Sequence, residues 1–169
     1  FFDGVQDIRF AVHCPELFAR DHVLDLCSKD QKYRAHSIAE LQRVVDITRQ
    51  LKEYFRNPDR PVIVINTGGF NEIGFLPKEQ RPGMYTKVAE SLDQIDSDGV
   101  ELIVQTMPPF PWHFGGQRFH NLFVDPEEIV AFCQKYGFRI CLDISHSKLA
   151  CNYYKWSFEK FVEQVGPYV

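Results

Sequence analysis

Apolar positions fall into two patterns that alternate along this chain. Near-continuous runs at Ile8–Cys14, Pro61–Thr67, Val100–Thr106 and Phe138–Ile144 predict four strands. Val62-Ile-Val-Ile65 is typical of them, and such runs suit strands covered on both faces. Helical periodicity fills the gaps. Ser37-x-x-Glu40 reads as a capping box that opens a helix running to Phe55, with Ile38, Leu41, Val44, Val45, Ile47 and Leu51 as its buried stripe. A second helix, Met84–Ile95, follows Pro82-Gly83 and carries Val88, Leu92 and Ile95. Asp125-Pro126-Glu127-Glu128 is a cap, a first-turn proline and two acids favoured by the helix dipole, so it starts a third helix, which Gly137 ends. Ser157 caps a last helix through Val165.

Strand and helix in alternation predict a parallel α/β fold. The strand runs begin at 8, 61, 100 and 138, a spacing that accommodates a strand, a loop, a helix and a return. The choice is between an open doubly wound sheet and a (β/α)8 barrel. No G-x-G-x-x-G or Walker-type loop follows any strand, and the nucleotide-binding open sheet loses ground for that reason. The expectation is an α/β fold, a partial (β/α)8 TIM barrel of about four parallel βα units, filling residues 1–169 as one domain. The start at Phe1 without a methionine, and the strand-like Gly166-Pro-Tyr-Val169, read as a fragment truncated at both ends. Four parallel strands leave two open edges and a bare inner face, so the rest of a parent barrel or a homo-oligomer should cover them.

Charge narrows the partners. A net charge of −4 and no long basic run argue against nucleic acid and anionic membranes. No apolar stretch approaches the ~18–20 residues of a spanning helix, and no secretion signal is evident. The 5 cysteines lack zinc or C-x-x-C spacing, and Cys14 and Cys141 sit inside apolar runs as small hydrophobes. This predicts a reduced, cytoplasmic protein.

The chemistry gathers at the strand ends. His13, Asn66, Gln105 and Asp143 with His146 all follow apolar runs. Binding groups in parallel sheets collect beyond the carboxyl ends of the strands, so these residues predict one shared small-molecule site. A hard oxygen beside an imidazole suits a divalent metal or a proton transfer.

The phrases Ala11-Val-His-Cys-Pro15, Val64-Ile-Asn-Thr-Gly-Gly69, Leu102-Ile-Val-Gln-Thr-Met-Pro-Pro109 and Cys141-Leu-Asp-Ile-Ser-His146 resemble successive strand ends of the xylose-isomerase-like barrels. That superfamily includes sugar-phosphate isomerases and epimerases and the endonuclease IV type of repair enzyme. The resemblance implies Asp143, His146 and His13 as metal ligands (Mn, Co, Zn or Mg), with His146 also contacting substrate. Two positions depart from it. Asn66 stands where a histidine is expected. Gln105 stands where a glutamate ligates metal and moves a proton. An amide keeps the shape of that carboxylate but neither its charge nor its basicity.

The loop Pro108–Asn121 is rich in proline, aromatic and donor residues, which suits a sugar or sugar phosphate. Trp112, Phe114, Arg118 and His120 belong to it, and His113 and Gln117 are its preferred ligand contacts. Asn71 and Glu72 could line the site from the second loop. His22 and His36 read as exposed, and Lys148 as a surface lysine with a phosphate contact as the sharper option. The combined expectation is a carbohydrate isomerase or epimerase domain using metal-assisted proton transfer. His146 and Gln105 would be its catalytic positions, and His13, Asn66, His113 and Gln117 its substrate contacts. A non-catalytic carbohydrate-binding domain with a degenerate metal site is the alternative, and an abasic-site nuclease the third reading.

Overall fold

A computed structural model of the protein describes residues 7–55, 60–113 and 116–169, with only the backbone of His113. Four strands form the central sheet: β1 (Val12–His13), β2 (Val62–Ile65), β3 (Glu101–Gln105) and β4 (Ile140–Cys141). All neighbours are parallel and lie in sequence order, β1-β2-β3-β4. Because each parallel crossover is right-handed, an order that never reverses sends every connection to the same face. That arrangement belongs to a barrel wall, whereas a doubly wound sheet reverses its order.

Register and burial separate the two faces. Ile63 pairs with Leu102, Ile65 with Val104 and Val104 with Ile140, and all five are buried. This outer face packs on Leu41, Val44 and Val45 of α1 (Gln31–Leu51), on Val88 and Leu92 of α2 (Arg81–Leu92) and on Ile129 and Phe132 of α3 (Pro126–Tyr136) as one core. The inner face carries His13, Val64, Ile103, Gln105 and Cys141, linked by the pairs His13–Val64, Val64–Ile103 and Gln105–Cys141. Val62, Val64, Ile103 and Cys141 there are only half-buried.

The predicted third helix stands as read, with the Asp125 side chain accepting from Glu127 N and Gly137 ending it at a φ of 74°. Ser157 likewise caps α5 (Phe158–Val165). Other boundaries moved. The first helix begins two turns earlier, capped by Asp30, whose carboxylate accepts from Lys32 N and Tyr33 N. Ser37 is therefore no cap. It is fully buried inside α1, where its Oγ accepts from Asp25 N and meets His22 Nε2 at 2.9 Å. The buried stripe runs Ser37, Leu41, Val44, Val45, Thr48, while Ile47 is exposed. Spacing of three and four selects Thr48 and rotates Ile47 outward. Its hydroxyl is satisfied by Val44 O at 2.7 Å, which makes the burial tolerable.

His22 also departs from expectation. It is buried, and its ring sits 4.3 Å from those of Tyr33 and His36. The strand run Phe138–Ile144 shortens to two residues, because Asp143 caps a helix that the periodicity did not reveal, α4 (Ile144–Tyr154).

Two glycines shape the turn after β2. Gly68 and Gly69 have φ of 80° and 88°. A Cβ on Gly68 would lie 2.5 Å from Asp25 Cα and Oδ1. Gly68→Ala should therefore cost more than about 2 kcal/mol in urea unfolding, since it adds both a left-handed strain and a backbone clash. Ser37→Ala should cost about 1–3 kcal/mol in the same assay, because it strands the Asp25 N–H and the His22 ring beneath the helix. A neutral Ser37→Ala would contradict its buried role.

Candidate functional site

Three of the four strand ends converge through hydrogen bonds. His13, at the end of β1, donates from Nε2 to Gln105 Oε1 at 2.9 Å. Gln105, at the end of β3, donates from Nε2 to Asp143 Oδ2 at 2.8 Å. The direction of the chain follows from charge. A carboxylate only accepts, so the amide turns its NH2 toward Asp143 and its oxygen toward His13. His13 must then carry its hydrogen on Nε2. Its Nδ1 lies 3.0 Å from the Cys14 carbonyl, so both ring nitrogens face oxygen acceptors.

Asp143 has two functions. Its Oδ1 accepts from His146 N at 2.9 Å and caps α4, while Oδ2 holds Gln105. Its own backbone N–H donates to Thr106 Oγ1 at 2.9 Å. His146 thus lies in the first turn of a helix. Its Nδ1 donates to Thr106 O at 2.9 Å, so the ring is held with Nε2 as the acceptor. Nδ1 is also 3.6 Å from Asp143 Oδ2.

Thr106 and Ser147 are the members that sequence reasoning passed over. Their hydroxyls meet at 3.0 Å, both are buried, and together they lock the start of α4 to the end of β3. The only available signal was position: Thr106 follows Gln105 directly, and Ser147 follows His146. Cys141 lies beside Gln105 on the inner face, and burial, then the Asp143 carboxylate, raises its thiol pKa.

The remaining candidates spread out. Asn66 is buried and its Oδ1 accepts from Gly68 N at 3.0 Å, so it closes the glycine turn. Gln117 is exposed and pairs with Trp112 in a two-stranded ribbon that includes the His113 backbone. The His113 side chain, Phe114 and Gly115 lie outside the described residues. Arg118 is drawn into an ion pair with Glu72 at 3.2 Å. His120 is buried, with Nδ1 3.0 Å from Leu122 O. Asn71 pairs with Phe119 in a second short ribbon. Lys148 points its ammonium at the Phe158 ring, 4.4 Å from the centroid, which places it with the packing of α5.

Two loops are stapled together over this end of the sheet. Phe70–Asn71 pairs with Phe119–His120, and Asn121 donates to Gly69 O while accepting from Leu76 N at 2.7 Å. Phe75, Phe110, Phe119 and Tyr153 cluster with ring centroids 4.6–5.9 Å apart. Trp112 is 70% exposed. No helix among the described residues is long and apolar enough to cross a membrane.

Comparison with known proteins gives a consistent picture. A solved structure of a D-tagatose 3-epimerase-like protein superposes with a TM-score of 0.60 at 18% identity, over 94% of this chain. The chain spans about half, 51%, of that protein's length. At this identity the likeness speaks to the fold. No curated protein matches the sequence. The family model of the xylose isomerase-like TIM barrel matches residues 5–167, nearly end to end. The chain belongs to the xylose isomerase-like TIM barrel family, and its four βα units form part of such a barrel.

Proposed function

We propose that this chain is the carbohydrate-holding part of an isomerase- or epimerase-like barrel, with a sugar or sugar phosphate bound across His13, Gln105, Asp143 and His146. One observation carries the reading: residues 92 and 38 positions apart meet in a hydrogen-bonded row on the inner face, at the carboxyl ends of the strands. Such a row alternates donors and acceptors, which matches vicinal hydroxyls. Family membership and the epimerase-like neighbour support the class of ligand. Trp112 offers an exposed aromatic face for the sugar ring, with Gln117 opposite it in the ribbon. All five cysteines are free thiols, in keeping with a reducing, cytoplasmic setting.

Proton transfer between carbons needs a base. Gln105 cannot supply one, which leaves Asp143 and the acceptor Nε2 of His146 as the available groups. Metal assistance, with Asp143, His146 and His13 as ligands, fits this donor set poorly. Among the described residues the row holds one carboxylate, and no three His, Cys, Asp or Glu groups converge. The locked amide equally favours a second reading, in which the barrel binds carbohydrate without transforming it.

A calorimetric screen of aldoses, ketoses and their phosphates tests the proposal. Asp143→Asn and His13→Ala should each weaken the best ligand about tenfold or more, while Lys148→Ala should leave its affinity unchanged. No carbohydrate binding to well-folded protein would sink the reading. Trp112 emission should shift when the ligand binds, and the shift should vanish in Trp112→Phe. Turnover of that ligand, followed by chromatography, separates the enzyme from the binding domain.

A further inference from the structure

We infer that this site holds its ligand without a resident divalent cation, because the Gln105 amide joins His13 to Asp143 through the lone pairs that an ion would need. This rests on the carbohydrate-site reading above and deepens it.

A divalent ion bound in a protein needs several convergent lone pairs, with enough negative charge to offset its dehydration. The inner-face row turns its lone pairs toward its own members. Asp143 fixes the amide, because a carboxylate can only accept from the Gln105 NH2 group. The amide in turn fixes His13, because Oε1 can only accept from Nε2. The nitrogen that would face an ion between β1 and β3 therefore presents a hydrogen. The amide likewise presents N–H, and not oxygen, to the space beside Asp143. Of His146, only Nε2 keeps a lone pair. The ring atom that lies 3.6 Å from Asp143 Oδ2 is Nδ1, and it is bonded to Thr106 O.

For Gln105 and His13 to ligate an ion, both bonds of the amide would have to break, the amide reverse and His13 lose its Nε2 hydrogen. Even then the described residues of the row offer it a single carboxylate. The same row is complete as a polyol cradle, since Asp143 retains further acceptor capacity and the imidazole and amide are held in fixed orientation. Gln105 is the positioning residue that makes the difference. A glutamate of the same length would set a second carboxylate 2.8 Å from the first, at the atom now occupied by Nε2, and repulsion between the two would be relieved by a cation.

The test is a calorimetric titration of the protein with MnCl2, CoCl2 and ZnCl2, for wild type, Asp143→Asn, Gln105→Glu and the double variant. Asparagine keeps the cap of α4, so the Asp143 variant retains its helix start. Wild type should bind none of the ions at this site more tightly than about 1 mM. Gln105→Glu should bind at least 100-fold more tightly, with that gain lost in the double variant. Micromolar binding by wild type that disappears in Asp143→Asn would overturn the inference. Metal uptake that survives Asp143→Asn lies elsewhere on the molecule and supports it.

A second measurement covers a misfolded Gln105→Glu. Wild-type affinity for the best carbohydrate, taken in EDTA and again with added Mn2+, should agree within twofold. A loss of tenfold or more in EDTA would overturn the inference. If no carbohydrate binds under either condition, the carbohydrate reading fails, while the wild-type metal titration still decides the question of the ion.

Discussion

Parallel pairing in unbroken sequence order is the constraint on which the rest of the molecule depends. It sends α1, α2 and α3 to one side of the sheet, where Ile63, Ile65, Leu102, Val104 and Ile140 meet them as the core. The opposite side carries none of these three helices. Strand register then decides which polar residues share that side, and it selects His13 and Gln105 together, with Asp143 two residues beyond Cys141. A slip of one residue would turn these side chains into the helix layer. The core and the candidate site are thus two consequences of the same alignment.

The end of the sheet is closed by backbone more than by side-chain bulk. Gly68 and Gly69 turn the chain tightly over Asp25 and Leu122, and Asn121 joins the second loop to the third. The half-buried Asp25 carboxylate accepts from Cys27 N and Sγ, and desolvation raises its pKa. Such loops are expensive to desolvate unless each polar group finds a partner. Asn66, His120 and Asn121 are the partners here, which explains why Asn66, a substrate contact by sequence, is buried in the turn.

At the site itself, charge orders the geometry. Asp143 is the only carboxylate in the row. It holds Gln105 on one oxygen and the start of α4 on the other. The orientation of the amide, and through it the hydrogen on His13 Nε2, follows from that single negative group. Exposure differs along the row as well: Gln105 is buried, Asp143 and His146 are half-buried, and His13 is exposed.

Local rules determined much of this in advance. Apolar runs marked all four strands, and Asp125-Pro126 and Ser157 marked two helix starts, because caps and buried strands are written in adjacent residues. Of the four polar strand ends expected in one site, those of three strands are joined by hydrogen bonds, and Asn66 instead closes the glycine turn. What stayed hidden depended on partners distant in sequence. Ser37 looks like a cap until Asp25 and His22 pack against it. The start of α4 is masked because Asp143 ends an apolar run, and its capping role depends on Thr106 holding its backbone from another strand. Gln105 reads from sequence as a lost base. Only the tertiary structure decides that its amide is a bridge, because the hydrogen bonds that orient it come from residues 92 positions before it and 38 after.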